Sequence, residues 1–227
     1  MIYTRPFVTG RFIAFAGDSR SGQVSLAVRV FDSFTEEPPQ ISIRVRLKEL
    51  PRAVPVRNHS GFFCFGVIPD PGAYTLLVEP DRVASDWYYL EPTGPVWTDT
   101  FERVINLPVP DPTFPVEVAT FAPKTSYPFP ANATLVRGVV TQGTPDGLRG
   151  AIVSTTYQQE DPPGSPPSPV QVRTLTDRGG EFVLFFKRLP NATQPITLTA
   201  EKDGAQVQQP VIITEGTTRK GVLLDLP

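Results

Sequence analysis

Proline sets the tightest limit on what this chain can fold into. Twenty-seven of its 227 residues are proline, roughly twice the usual share, spread along the chain and crowded in a few stretches. A proline ring removes a backbone donor and blocks a helix interior, so such a chain has little room for long helices. Prolines suit strand ends, sheet edges and turns instead. Disorder is excluded by the rest of the composition, because 40% of residues are hydrophobic and 15 are Phe, enough apolar surface to build a core. Short strands joined by many turns meet both demands.

The strands announce themselves by period-2 alternation. Val24, Leu26, Val28 and Val30 alternate with Ser25, Ala27 and Arg29. Ile41, Ile43, Val45 and Leu47 alternate with Ser42, Arg44, Arg46 and Lys48, giving one core face and one basic face. A strand over 10–16 follows a short N-terminal arm. Asn58-His59-Ser60-Gly61 is a turn before the aromatic strand Phe62-Phe63-Cys64-Phe65, and Pro69-Asp70-Pro71-Gly72 leads into a strand over 73–78; the pair reads as a hairpin. Further strands are expected at 87–90 and 101–107.

At this length the chain has room for two modules of about a hundred residues, each with its own core. Residues 1–107 form the first, a β-sandwich preceded by the arm. Prolines crowd residues 108–133, which read as a stiff crossover in which only 116–121 pairs, as an edge strand. The second sandwich covers 134–227, with strands at 133–140, 148–154, 170–175, 181–186, 196–200, 206–213 and 221–226. Its loop over 160–169 is too rich in proline to pair and is expected to project as a mobile excursion. The expected class is therefore all-β, two antiparallel sandwiches joined by a proline-rich crossover.

The two halves repeat a shape. Ser60-Gly61 precedes the aromatic strand and a Pro-Gly turn leads on to Tyr74-Thr75-Leu76-Leu77-Val78; Thr176-Asp177-Arg178-Gly179-Gly180 precedes Glu181-Phe182-Val183-Leu184-Phe185-Phe186, and Pro190 leads on to Pro195-Ile196-Thr197-Leu198. Gly138-Val139-Val140, Gly150-Ala151-Ile152-Val153 and the run Thr176 to Phe182 resemble the carboxypeptidase regulatory-like, transthyretin-like family of immunoglobulin-like sandwiches, over most of residues 134–226. In the first half Asn58-His59 stands where the family's Thr-Asp pair is expected. The resemblance implies a fold and no particular activity.

Chemistry is poorly provided for. Lys and Arg number 21 against 23 Asp and Glu, a net charge of −2, which argues against nucleic-acid binding. There is one His and one Cys. Cys64 sits among Phe62, Phe63 and Phe65, where a small apolar thiol belongs, and His59 lies in a turn, so a thiol-imidazole pair is not the expected reading. Asp111, Asp161 and Asp177 are isolated, zinc lacks three good ligands, and no phosphate loop follows a strand, so no metal or cofactor is expected. Neither a signal peptide nor a membrane span appears, and the lone cysteine favours a reducing compartment, so a cytoplasmic protein assembled into a particle is expected.

What remains are contact residues. Arg44, Arg46 and Lys48 place a basic stripe on one strand face. Trp87, Tyr88, Tyr89 and Trp97 form an aromatic cluster that either closes the first sandwich or anchors a partner. Ile2, Tyr3, Arg5 and Phe7 belong to an apolar arm that covers its own sheet edge or adds a strand to a neighbouring subunit. These residues point to a non-catalytic structural or adaptor subunit, a homo-oligomer within a large protein assembly. Arg57 to Phe62 and Tyr127 to Gly138 resemble small accessory proteins of phage-tail-like contractile injection systems, which implies a cap or terminator touching sheath or tube. A carbohydrate-binding or adhesive surface module is the alternative.

Overall fold

The computed structural model describes residues 11–13, 21–39, 41–68, 70–81, 86–90, 101–107 and 116–227. The chain divides into two compact units, residues 1–122 and 123–227. Among the described residues the protein is all-β, with no α-helix.

In the first unit, β1 (Arg11–Ile13) and β2 (Ser21–Gln23) form a small antiparallel pair. The body is built from β3 (Leu26–Asp32), β4 (Ile43–Leu47), β5 (Val56–Arg57), β6 (Phe62–Phe65), β7 (Gly72–Pro80), β8 (Tyr88–Leu90), β9 (Phe101–Leu107) and β10 (Val116–Pro123). These make a five-stranded sheet in the order β5-β6-β3-β10-β8 and a three-stranded sheet in the order β4-β7-β9. Leu26, Val28 and Val30 of β3, Val45 and Leu47 of β4, and Leu76 and Val78 of β7 are all buried, as alternation requires. Each such side chain taken out of water contributes about 1.5–3 kcal/mol.

The second unit contains β11 (Thr134–Gln142), β12 (Ile152–Gln159), β13 (Ser168–Leu175), β14 (Glu181–Phe186), β15 (Thr193–Lys202), β16 (Ala205–Thr214) and β17 (Thr218–Leu226). Its sheets run β14-β11-β17 and β13-β12-β15-β16. One buried cluster joins them: Val136, Val140, Phe182, Leu184, Phe186, Leu224 and Leu226 from the first sheet meet Val153, Tyr157, Leu198, Ala200 and Ile213 from the second. Apolar faces from two sheets sharing one core make a β-sandwich.

The units repeat one topology. β3 and β11 each pair antiparallel with the aromatic strand, β6 or β14, and parallel with the last strand, β10 or β17. β7 and β15 each stand between β4 and β9, or β12 and β16. The registers agree as well. Val30 donates to the Gly61 carbonyl (3.3 Å) as Val140 donates to that of Gly180 (2.9 Å), and Phe121 lies opposite Asp32 as Leu226 lies opposite Gln142. Each unit thus holds a parallel pair, β3 with β10 and β11 with β17.

Four expectations are corrected. Residues 116–121 do not form an edge strand in a crossover: β10 lies between β3 and β8, inside the first unit's sheet. Its prolines cost nothing there because they cluster outside the paired run. The aromatic strand and the strand after it are not a hairpin in either half. β6 and β7 belong to different sheets, as do β14 and β15, so each turn between them is an arch from one sheet to the other. The loop over 160–169 is the bend of a β12-β13 hairpin, with Gln159 opposite Ser168. It is tied down by Glu160 N donating to Arg188 O (3.0 Å) and by an ion pair of Asp161 with Arg188. Finally, Asn58 itself, and not the pair Asn58-His59, occupies the place of Asp177.

Candidate contact surfaces

The recurring turn explains the family-like motif. Asp177 Oδ1 accepts from Gly179 N (2.9 Å) and Glu181 N (3.0 Å), and Gly180 takes a positive φ of 73° to close the turn. Thr176, fully buried, donates from Oγ1 to Leu148 O (2.6 Å) and accepts from Ala151 N (2.8 Å), locking the turn to the loop after β11. Asp177 Oδ2 further accepts from Thr125 Oγ1 (2.7 Å). In the first unit, Arg57 stands where Thr176 stands, reaching Pro39 O and lying 5.5 Å over the Phe63 ring. These polar groups are committed to holding loops in place.

The basic stripe sits where alternation puts it. Val45 and Leu47 are buried, while Arg44, Arg46 and Lys48 are exposed. Neighbouring strands answer it with carboxylates: Arg46 Nη2 lies 3.1 Å from Glu79 Oε1, and Lys48 Nζ lies 3.9 Å from Glu102 Oε1. Register sets Arg44 opposite Glu79 as well. The face is a lattice of alternating charge, worth little in water. Beside it Glu49 accepts from Thr75 N (2.7 Å) and Thr75 Oγ1 (2.7 Å), bonds that hold its carboxyl below the ordinary range.

Of the aromatic cluster, Tyr88 and Tyr89 are buried and Trp87 is half-buried. Tyr88 donates to Asp32 Oδ2 (2.9 Å) and meets the Phe121 ring edge-on at 5.5 Å. Asp32, itself buried, also receives Phe34 N (2.7 Å), so this tyrosine completes a polar bracket at the end of β3. Trp97 and the arm residues Ile2, Tyr3, Arg5 and Phe7 lie outside the described residues.

Cys64 is half-buried, opposite Ala27 on one side and Val56 on the other, and burial pushes its thiol pKa up. A thiol held protonated is a poor nucleophile. His59 is exposed in the turn. Among the described residues no group of three His, Cys, Asp or Glu side chains could hold a metal, and no helix is long and apolar enough to cross a membrane.

One surface escaped the sequence reading. The outer face of the β13-β12-β15-β16 sheet carries a shallow depression lined by Ser154, Thr156, Gln171, Thr197, Thr199 and Gln208. Register sets Ser154 between Arg173 and Thr199, with Gln208 beyond. Hydroxyls and carboxamides offer both donors and acceptors there without a full charge inside the depression. Its signal lay in the polar half of the β12 alternation, Ser154, Thr156 and Gln158.

No family model matches the chain, and no curated protein matches it in sequence. Solved structures similar to it include the Bacillus anthracis TIE protein, at 13% identity and a TM-score of 0.30, over 91% of this chain and 33% of that one. The chain thus spans about a third of the length of that protein. A streptococcal ancillary pilin is similar at 11% identity and a TM-score of 0.28, over 94% of this chain and 72% of its own. The shaft pilin SpaA from Lactobacillus rhamnosus GG, as an E269A mutant, is similar at 12% identity and a TM-score of 0.30, over 89% of this chain and 96% of its own. At such TM-scores these likenesses add nothing to the strand order and register given above, and the class of the protein, an immunoglobulin-like β-sandwich repeated twice, rests on those.

Proposed function

We propose that the chain is a non-catalytic structural subunit of a protein assembly. The observation that carries this reading is the use made of its polar groups: Asp32, Asn58, Thr176 and Asp177 each bracket a loop, and the one thiol is desolvated. Two copies of one rigid module, with no side-chain constellation for bond chemistry among the described residues, suit spacing and contact. The finer assignment, a cap or terminator in a phage-tail-like contractile injection system, is supported by the sequence resemblance alone. Fractionation from its native source by mass tests the reading: the chain should travel in a high-mass particle, and migration only as a free chain overturns it.

The uncharged depression on the second unit favours an adhesive module as the second reading. Neutral hydroxyls and carboxamides match the hydrogen-bonding groups of a sugar. Retardation in affinity electrophoresis through a neutral polysaccharide, abolished by Thr199→Lys, would establish it; unaltered mobility removes it.

A further inference from the structure

The repeat shows what one sheet lacks. In the first unit the trio β6-β3-β10 is flanked by β5 on one side and β8 on the other; in the second unit, among the described residues, the equivalent trio β14-β11-β17 ends bare on both sides. β17 is the longer of those two edges, with nine residues against six, and a register shift at Gly221, whose φ is 73°, divides it. Val140 N bonds to Gly180 O (2.9 Å), so along β11 the odd-numbered residues face β17. Parallel pairing then directs the backbone groups of Val222, Leu224 and Leu226 at β11 and those of Leu223 and Asp225 away from the sheet. Leu223 is also one of the most exposed large apolar side chains of the unit, at 58%.

We propose that β17 pairs antiparallel with β17 of a second copy, across a two-fold axis at Leu223. This deepens the assembly reading and rests on it. An isologous contact requires a surface complementary to itself, and β17 is one. Arg219 and Lys220 stand at one end and Asp225 at the other, all exposed. Antiparallel pairing about Leu223 sets Gly221 against the partner's Asp225 and brings the cationic end of each strand to the anionic end of the other. Asp225 keeps Thr141 Oγ1 (2.8 Å) and Gly143 N (3.0 Å) on Oδ1, leaving Oδ2 to face that charge. The two exposed Leu223 side chains meet on the axis, and the two bare trios become one six-stranded sheet. An uncovered strand of this length would otherwise invite uncontrolled pairing.

The test uses the whole chain. Light scattering after gel filtration should give a dimer for the wild type and a monomer for Leu223→Pro, which removes an outward N–H and spares the β11-β17 ladder. Arg219→Glu/Lys220→Glu should weaken the dimer at least tenfold. In a Cys64→Ala background, Leu223→Cys should form an intermolecular disulfide, since a hydrogen-bonded antiparallel pair holds its Cα atoms about 5.5 Å apart; Lys220→Cys, off the axis, should not. An oligomer that survives Leu223→Pro, together with a Leu223→Cys variant that forms no cross-link, overturns this interface and leaves the assembly reading intact. A wild-type chain that stays monomeric and uncross-linked overturns the interface, while particle fractionation decides the assembly reading separately.

Discussion

Asn58 and Asp177 are the same residue of the same turn, once in each unit. Asn58 Oδ1 accepts from Ser60 N (3.0 Å) and Phe62 N (2.9 Å), as Asp177 Oδ1 accepts from Gly179 N and Glu181 N. Each backbone N–H in turn donates to the carbonyl four residues on, at Phe62 O (2.9 Å) and Glu181 O (2.9 Å). The carbonyl oxygen of a carboxamide and one oxygen of a carboxylate are equivalent acceptors here.

Removal of that acceptor should therefore destabilise either unit. Asn58→Ala and Asp177→Ala are each expected to cost about 0.5–1.5 kcal/mol, the usual net worth of a hydrogen bond, since of the four N–H donors left behind only that of Phe62 is partly buried. Hydrogen exchange should locate the loosening at 57–65 for the first variant and at 176–186 for the second. Asn58→Asp and Asp177→Asn, which keep an acceptor, should stay within about 0.5 kcal/mol of wild type. A full-sized loss in the Asn/Asp exchanges would refute the equivalence.

Glycine is required at several places in the second unit, and Gly138 and Gly180 need it for different reasons. A Cβ on Gly138 would lie 2.2 Å from Val222 O and 2.7 Å from the Phe182 ring. One on Gly180 would meet Gly147 Cα at 2.5 Å, on a residue whose φ is already 73°. Gly143 has a φ of 61° but open space around it. Gly143→Ala should thus cost only the left-handed penalty of about 1–2 kcal/mol, while Gly138→Ala and Gly180→Ala should exceed it. Thermal midpoints rank the three; a Gly143 variant as damaged as the others would contradict the packing argument.

These residues show what could be read from the sequence. Alternation located the strands because it is local, and the bounds of β9 and β14 emerged as expected. Sheet membership is not local. β6 and β7 follow one another like a hairpin, yet each pairs elsewhere, and nothing in residues 66–71 records the change of sheet. β10 finds β3 across some ninety residues of chain, and its flanking prolines hide an interior strand. The Asp177 turn is legible as a motif, whereas the match in the first unit lies one residue off the expected pair, because Asn58 supplies the same acceptor as an aspartate and only the hydrogen bonds reveal it. Tyr88 looked as fit for a surface as for a core until Asp32 supplied its partner.

Glu49 gives the first unit a pH dependence. The backbone N–H of Thr75, then its hydroxyl, holds the folded carboxyl below its ordinary value. As pH falls, the unfolded chain takes up this proton first, so the stability Glu49 contributes is present above about pH 4.3 and lost as pH drops through the folded value. Denaturant midpoints of wild type and Glu49→Gln should differ at neutral pH and converge in acid. A gap that does not change with pH would show that the Thr75 bonds do not favour the ionised form.

Cys64 runs the opposite way. Burial raises its thiol pKa in the folded chain, so with rising pH the unfolded chain loses this proton first. The folded state keeps its full advantage below the ordinary thiol value, about 8.5, and loses stability as pH climbs from there through the folded value. Cys64→Ala abolishes that decline, at the cost of a small packing loss against Val24, Ala27 and Phe62. Reactivity follows from the same displacement. The thiolate is the species that reacts, so alkylation of native protein at pH 8 should lag the unfolded chain and speed up as denaturant is added. Native labelling as fast as unfolded labelling would show that burial does not hold the thiol protonated, and native labelling faster than unfolded would mean an activated thiol and overturn the non-catalytic reading.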